Sequence, residues 1–158
     1  MKKRLIIGFT LASLAAASLA VPLAASGDRH ERERLAIGIR VDFTSATRAS
    51  GTFVACCAVN DSGTATADVT SFVPKQNGTE ARFEATETFV GSQGTFTLAL
   101  RGTTGPLSSP RHIARGHWSV TGGTGAYADL QGNGSFTAVT DTATGALTAI
   151  NSGDGEDD

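Results

Sequence analysis

Two titratable side chains fall on faces that would bury them. Glu87 lies in the run Thr79 to Val90, on the same parity as Phe83, Ala85 and Phe89. His112 opens the run to Val120, on the parity of Ala114 and Trp118. Desolvation disfavours the charged form of a carboxyl group. In apolar surroundings its pKa rises, and it can give or take a proton near neutral pH. A nearby imidazole could orient it or relay its proton. These two are the candidate catalytic residues. The plainer alternative puts both near strand ends, where a bulge shifts parity and the charge reaches water.

Other chemistry finds little support. Cys56 and Cys57 are adjacent, and neighbouring side chains on a strand point to opposite faces. The first expectation is two small buried hydrophobes, one per face; a strained vicinal disulfide or a link between chains is the alternative. His30, His112, His117 and the two cysteines lack zinc-ligand spacing, so no metal is expected. Gly123-x-Gly125-x-x-Ala128 comes close to a dinucleotide fingerprint. That fingerprint needs a full helix to carry the pyrophosphate, and Gly132 and Gly134 would end any helix within two turns. No nucleotide or other cofactor is expected.

The elements that would position these residues are strands. Turn residues punctuate the chain about every ten positions, and the stretches between alternate with period two. Ile37, Ile39, Val41 and Phe43 share one face, and so do Phe53, Ala55, Cys57 and Val59. Ala65, Ala67, Val69 and Val73 follow, then Ala81, Phe83, Ala85 and Phe89, then Phe96, Leu98 and Leu100. Ala114, Gly116, Trp118 and Val120 form another face, and two shorter runs cover Gly134 to Val139 and Gly145 to Ile150. Asn60 to Gly63, Lys75 to Gly78 and Thr140 to Gly145 read as hairpin connectors. Arg40, Asp42, Arg82 and Glu84 take the polar face, as exterior cross-strand ion pairs. The fold class is therefore all-β. Eight antiparallel strands form a sandwich or close into a barrel, and closure removes the exposed edges.

The ends read differently. Lys2, Lys3 and Arg4 precede an uncharged apolar run from Leu5 to Val21, then Pro22 and the small residues Ala24-Ala25-Ser26. This is the order of a secretory signal peptide, cleaved after Ala25 or Ser26; a retained membrane anchor is the alternative. The expected division is a leader over 1–26, a charged lead-in over 27–34, a barrel over 35–151 and an acidic, disordered tail over 152–158. Without the leader the chain has ten basic and fifteen acidic residues, a formal charge of −5. That balance offers no basic stripe for nucleic acid. Arg outnumbers Lys among the mature basic residues, which suggests GC-rich coding and a bacterial source. A secreted location, with no membrane span after processing, follows from the leader.

The most distinctive stretch runs from Gly116-His117-Trp118 through Gly122-Gly123-Thr124-Gly125-Ala126-Tyr127-Ala128-Asp129-Leu130 to Gly132-Asn133-Gly134. It reads as a strand, a tight Gly turn with Gly125 at positive φ, and a short helical turn that folds Tyr127 and Leu130 back as a plug. This arrangement resembles the late-strand motif of the allene oxide cyclase and dirigent-protein barrels, and small secreted bacterial proteins sharing that barrel. The strand count extends the likeness over Leu35 to Ile150. The resemblance implies an eight-stranded antiparallel barrel that holds a hydrophobic molecule, and the plant relatives imply a trimer, so a homo-oligomer is an open expectation. It places no catalytic residue here.

The inward faces combine Phe53, Phe83, Phe89, Phe96 and Trp118 with Ala55, Ala65, Ala67, Ala85, Ala114 and Gly116. Clustered small residues would leave a cavity open at one end, lined by these aromatics and by Tyr127; Trp118 and Tyr127 suit a core as well as a ligand platform. Three functions compete: a secreted barrel that binds a small apolar ligand or a partner, a cyclase or isomerase assisted by Glu87 and His112, and a filled structural protein of an envelope or matrix. Fold likeness alone does not choose among them.

Overall fold

A computed structural model describes residues 33–156. The expected leader, most of the expected lead-in and the last two residues lie outside the described residues. The chain forms eight strands: β1 (Glu33–Phe43), β2 (Arg48–Cys57), β3 (Asp61–Pro74), β4 (Ala81–Gly91), β5 (Gly94–Gly105), β6 (Arg111–Gly125), β7 (Gln131–Asp141) and β8 (Ala146–Glu156). Each pairs antiparallel with its neighbours in sequence, and β1 pairs with β8 to close the barrel. No helix occurs among the described residues.

Period-two burial runs through the strands. In β1, Leu35, Ile37, Ile39 and Val41 are buried while Gly38, Arg40 and Asp42 are exposed. Glu84 pairs with Arg101 at 3.3 Å across β4 and β5, and Arg48 with Asp68 at 3.6 Å across β2 and β3. Such exposed pairs add at most about 1 kcal/mol each.

Four sequence expectations need correction. Residues 152–156 are not a disordered tail. They continue β8, paired with β1 and β7, because Gly153 and Gly155 keep the inward parity while Asp154 points to water. Glu33 and Arg34 likewise belong to β1 rather than to a lead-in, opposite Gly155 and Asp154. Asp61, Ser62 and Gly63 are the start of β3, not a turn. A bulge between Val69 and Ser71 shifts the register of β3 on β4, so Phe72 pairs with Phe83 and Val73 faces outward, 57% exposed. One extra residue exchanges the faces of everything beyond it.

The interior divides into two halves along the barrel axis. At the end holding the β2–β3, β4–β5 and β6–β7 connections, Phe53, Phe89 and Phe96 pack ring on ring, with centroids 4.7–5.8 Å apart. Tyr127 joins them edge-on to Phe96 at 5.4 Å. Burying each such ring contributes about 1.5–3 kcal/mol. The short turn over residues 126–129 carries Tyr127 inward, Leu130 follows it, and both are buried. Gly125 has φ of 65°, as the Gly-rich turn requires. Trp118 lies over Gly134 and Gly153, where an added Cβ would come within 2.8 Å of its ring, and its Nε1 donates to the Ser135 carbonyl at 3.1 Å. The other half is open.

Candidate functional site

The open half is a cavity of about 370 Å³. Small side chains make the space: Ala67, Ala85, Ala114, Ala138 and Ala149, contributed by five strands. Larger apolar groups bound it, among them Phe43, Phe72, Phe83, Leu100, Phe136 and Leu147. Phe83 and Phe136 meet edge-on at 5.9 Å. Ser45, Thr104, His112, Thr140 and Thr142 add hydroxyl groups and an imidazole toward the mouth. The volume falls within the range of small-molecule sites, and an apolar wall with few polar groups is their usual composition.

Glu87 is the deepest lining residue of β4, and its carboxyl is buried. Parity with Phe83, Ala85 and Phe89 holds without a slip, so Glu87 faces inward in mid-strand. Its Oε2 accepts a hydrogen bond from Asn151 Nδ2 at 2.8 Å. Asn151 is fully buried on β8, between Ile37 and Phe136 on the neighbouring strands. Strands β4 and β8 are four places apart in either direction around the ring, so this bond crosses the lumen. It forms a polar strut between the packed half and the cavity. Desolvation pushes the Glu87 pKa up to about 7, against the smaller lowering effect of the Asn151 hydrogen bond. A side chain there is balanced between acid and carboxylate at neutral pH. The Asn151 Oδ1 is buried with no hydrogen-bond partner among the described residues.

His112 also lines the cavity, as the second residue of β6 and near the mouth. No hydrogen bond joins it to Glu87, whose partner is Asn151. The structure therefore places both candidate residues in one cavity without the contact that a relay requires. Of the aromatics expected to line it, Phe83 does so. Phe53, Phe89, Phe96, Trp118 and Tyr127 do not: the three phenylalanines and Tyr127 pack ring on ring in the other half, and Trp118 is buried over Gly134 and Gly153. Ala55 and Ala65 are buried in that half too, so the second and third strands do not supply the small cluster alone.

The packed end has its own polar centre. Asp61 accepts hydrogen bonds from Ser62 N (2.8 Å), Ser92 N (3.2 Å) and Oγ (2.9 Å), Gln93 N (3.1 Å) and Tyr127 Oη (2.9 Å). Desolvation raises its pKa, but the bonds from Gln93, Ser62, Ser92 and Tyr127 together outweigh it and hold the carboxyl well below the usual carboxylate range. The network ties three connections together and seals that end.

The cysteines depart from expectation. Both are exposed, because Cys57 has φ of 83° and leaves the extended conformation at the end of β2. Sequence reasoning missed Asn151, which continues the parity of Leu147 and Ala149 beyond the expected strand end. It also missed Asp61, taken for a turn residue, and Phe72, hidden by the bulge. Comparison of the chain with protein-family models, curated proteins and solved structures returns no match.

Proposed function

We propose that this barrel binds a small, mainly apolar ligand through its open half, with Glu87 meeting the ligand's one polar group at the floor. The observation that carries this reading is a cavity of about 370 Å³ with alanine walls and a single buried carboxyl. The basic start at Lys2, Lys3 and Arg4 and the apolar run from Leu5 to Val21 support a leader over residues 1–26 and so a secreted place of work. The closed eight-strand order and the hollow interior support kinship with the allene oxide cyclase and dirigent barrels. A filled structural barrel is the reading that the cavity disfavours. A second activity, cyclase or isomerase, draws on one specific observation: a carboxyl with a pKa of about 7 beside apolar walls can exchange a proton with a bound substrate.

The test is titration with a neutral, environment-sensitive apolar dye such as N-phenyl-1-naphthylamine. Saturable binding with one site per chain is expected. Ala67→Phe fills the cavity and should weaken binding at least tenfold while the strand signal in circular dichroism is kept. Dye binding that ignores this substitution would refute the proposal.

A further inference from the structure

We propose that Cys56 and Cys57 are a redox site, a vicinal dithiol that closes to a disulfide by exchange with a small-molecule disulfide. Two independent features point to it. The first is proximity: the Sγ atoms lie 2.8 Å apart, closer than ordinary non-bonded contact and within about 1 Å of the covalent separation of about 2.05 Å. The second is backbone. Adjacent side chains on a strand diverge, and Cys57 is the one non-glycine with positive φ among the described residues. That turn brings both sulfur atoms to the same side. The neighbours hold it in place: Ala58 N donates to the Arg34 carbonyl at 2.9 Å, and Val59 is fully buried one residue on. Both thiols are exposed, so a soluble disulfide can reach them.

The exchange balances without another reagent. One thiolate of the pair, for example that of Cys56, attacks one sulfur of R–S–S–R, forming a mixed disulfide and releasing one thiolate, which takes up a proton. Cys57 then loses its proton, and its sulfur attacks Cys56 Sγ. The vicinal bond forms, the mixed disulfide breaks, and the second small thiol leaves. Two protein thiols are oxidised and one small disulfide is reduced to two thiols. The hydrogen bond with Cys56, then desolvation, raises the Cys57 pKa, and either sulfur of the pair can open the exchange.

The site forms the last two residues of β2, just before the connection that leads to Asp61. Ring closure would fix the chain there just before the network that seals the packed end.

The experiment uses the full chain, reduced, desalted and exposed to oxidised glutathione at several protein concentrations. Samples are quenched with N-ethylmaleimide and weighed intact. The expected product is a monomer lighter by two hydrogens that takes no maleimide, formed at a rate independent of protein concentration. Each single variant, Cys57→Ser and Cys56→Ser, should stop at a stable glutathione adduct on the remaining cysteine. Two separate glutathione adducts on the wild-type chain, two persistently alkylatable thiols, or covalent dimers as the main product would each overturn the proposal. The wild-type mass decides the matter even if a variant folds poorly.

Discussion

Glu87 costs the fold more as it ionises. Below its unfolded pKa of about 4.5 the carboxyl is neutral in both states, and burial carries no charge penalty. As pH rises from there toward about 7, the unfolded chain ionises while the folded chain keeps its proton, so stability falls. Above about 7 both states are ionised and the fall levels off, at a total of about 3 kcal/mol. Glu87→Gln should flatten this part of the profile and make the variant the more stable protein at pH 8. Urea unfolding between pH 4.5 and pH 8 checks it; an unchanged slope would mean that the wild-type charge reaches water. Asp61 has the opposite sign. Its lowered pKa gives stability that is present above the ordinary carboxylate range and lost only in strong acid. The inward placement of Glu87 was readable from its parity with Phe83, Ala85 and Phe89. Its partner was not, because Asn151 lies 64 residues away and meets it only across a closed ring.

Strands were readable where alternation was local and unbroken, as in β1 and β4. They were misread where geometry outweighed composition. The acidic, Gly-rich segment Gly153–Glu156 looked unstructured, yet strands on both sides supply its backbone partners; Gly153 lies inward where Trp118 needs space, and Gly155 faces Leu35 and Ala58. The bulge at Val69 and Ser71 left no mark in the residue pattern, and it decides that Phe72 rather than Val73 borders the cavity. The Gly-rich end of β6 was readable because its constraint is conformational. At Gly125, φ is 65° and an added Cβ would lie 2.4 Å from the Gln93 carbonyl oxygen. Gly125→Ala should therefore destabilise the barrel by at least about 1 kcal/mol, measured by thermal or urea unfolding. A neutral result would mean that the turn relaxes without cost.

At the scale of the whole molecule, one barrel holds both a packed core and an open cavity. The aromatic half supplies the packing, and the alanine half can stay open because the ring of hydrogen bonds satisfies the backbone without help from the interior. The expectation of a cavity open at one end agrees with the structure. Its lining agrees only in part: Phe83, Ala67, Ala85 and Ala114 border it, whereas Phe53, Phe89, Phe96, Trp118 and Tyr127 went to the core.

The Glu87–Asn151 strut also bears on the order of folding. Seven of the eight strand pairings join neighbours in sequence, whereas β1 meets β8 only when the chain's two ends come together. That closure carries the largest loop entropy and should dominate the barrier. A bond from β4 to β8 can shorten fully only once the ring is shut, so it belongs to the downhill side of the barrier. Asn151→Ala should then speed unfolding at least tenfold and leave the refolding rate within about twofold of wild type. Stopped-flow denaturant jumps separate the two limbs; slower refolding with unchanged unfolding would place the strut ahead of closure, as the clamp around which the cylinder assembles.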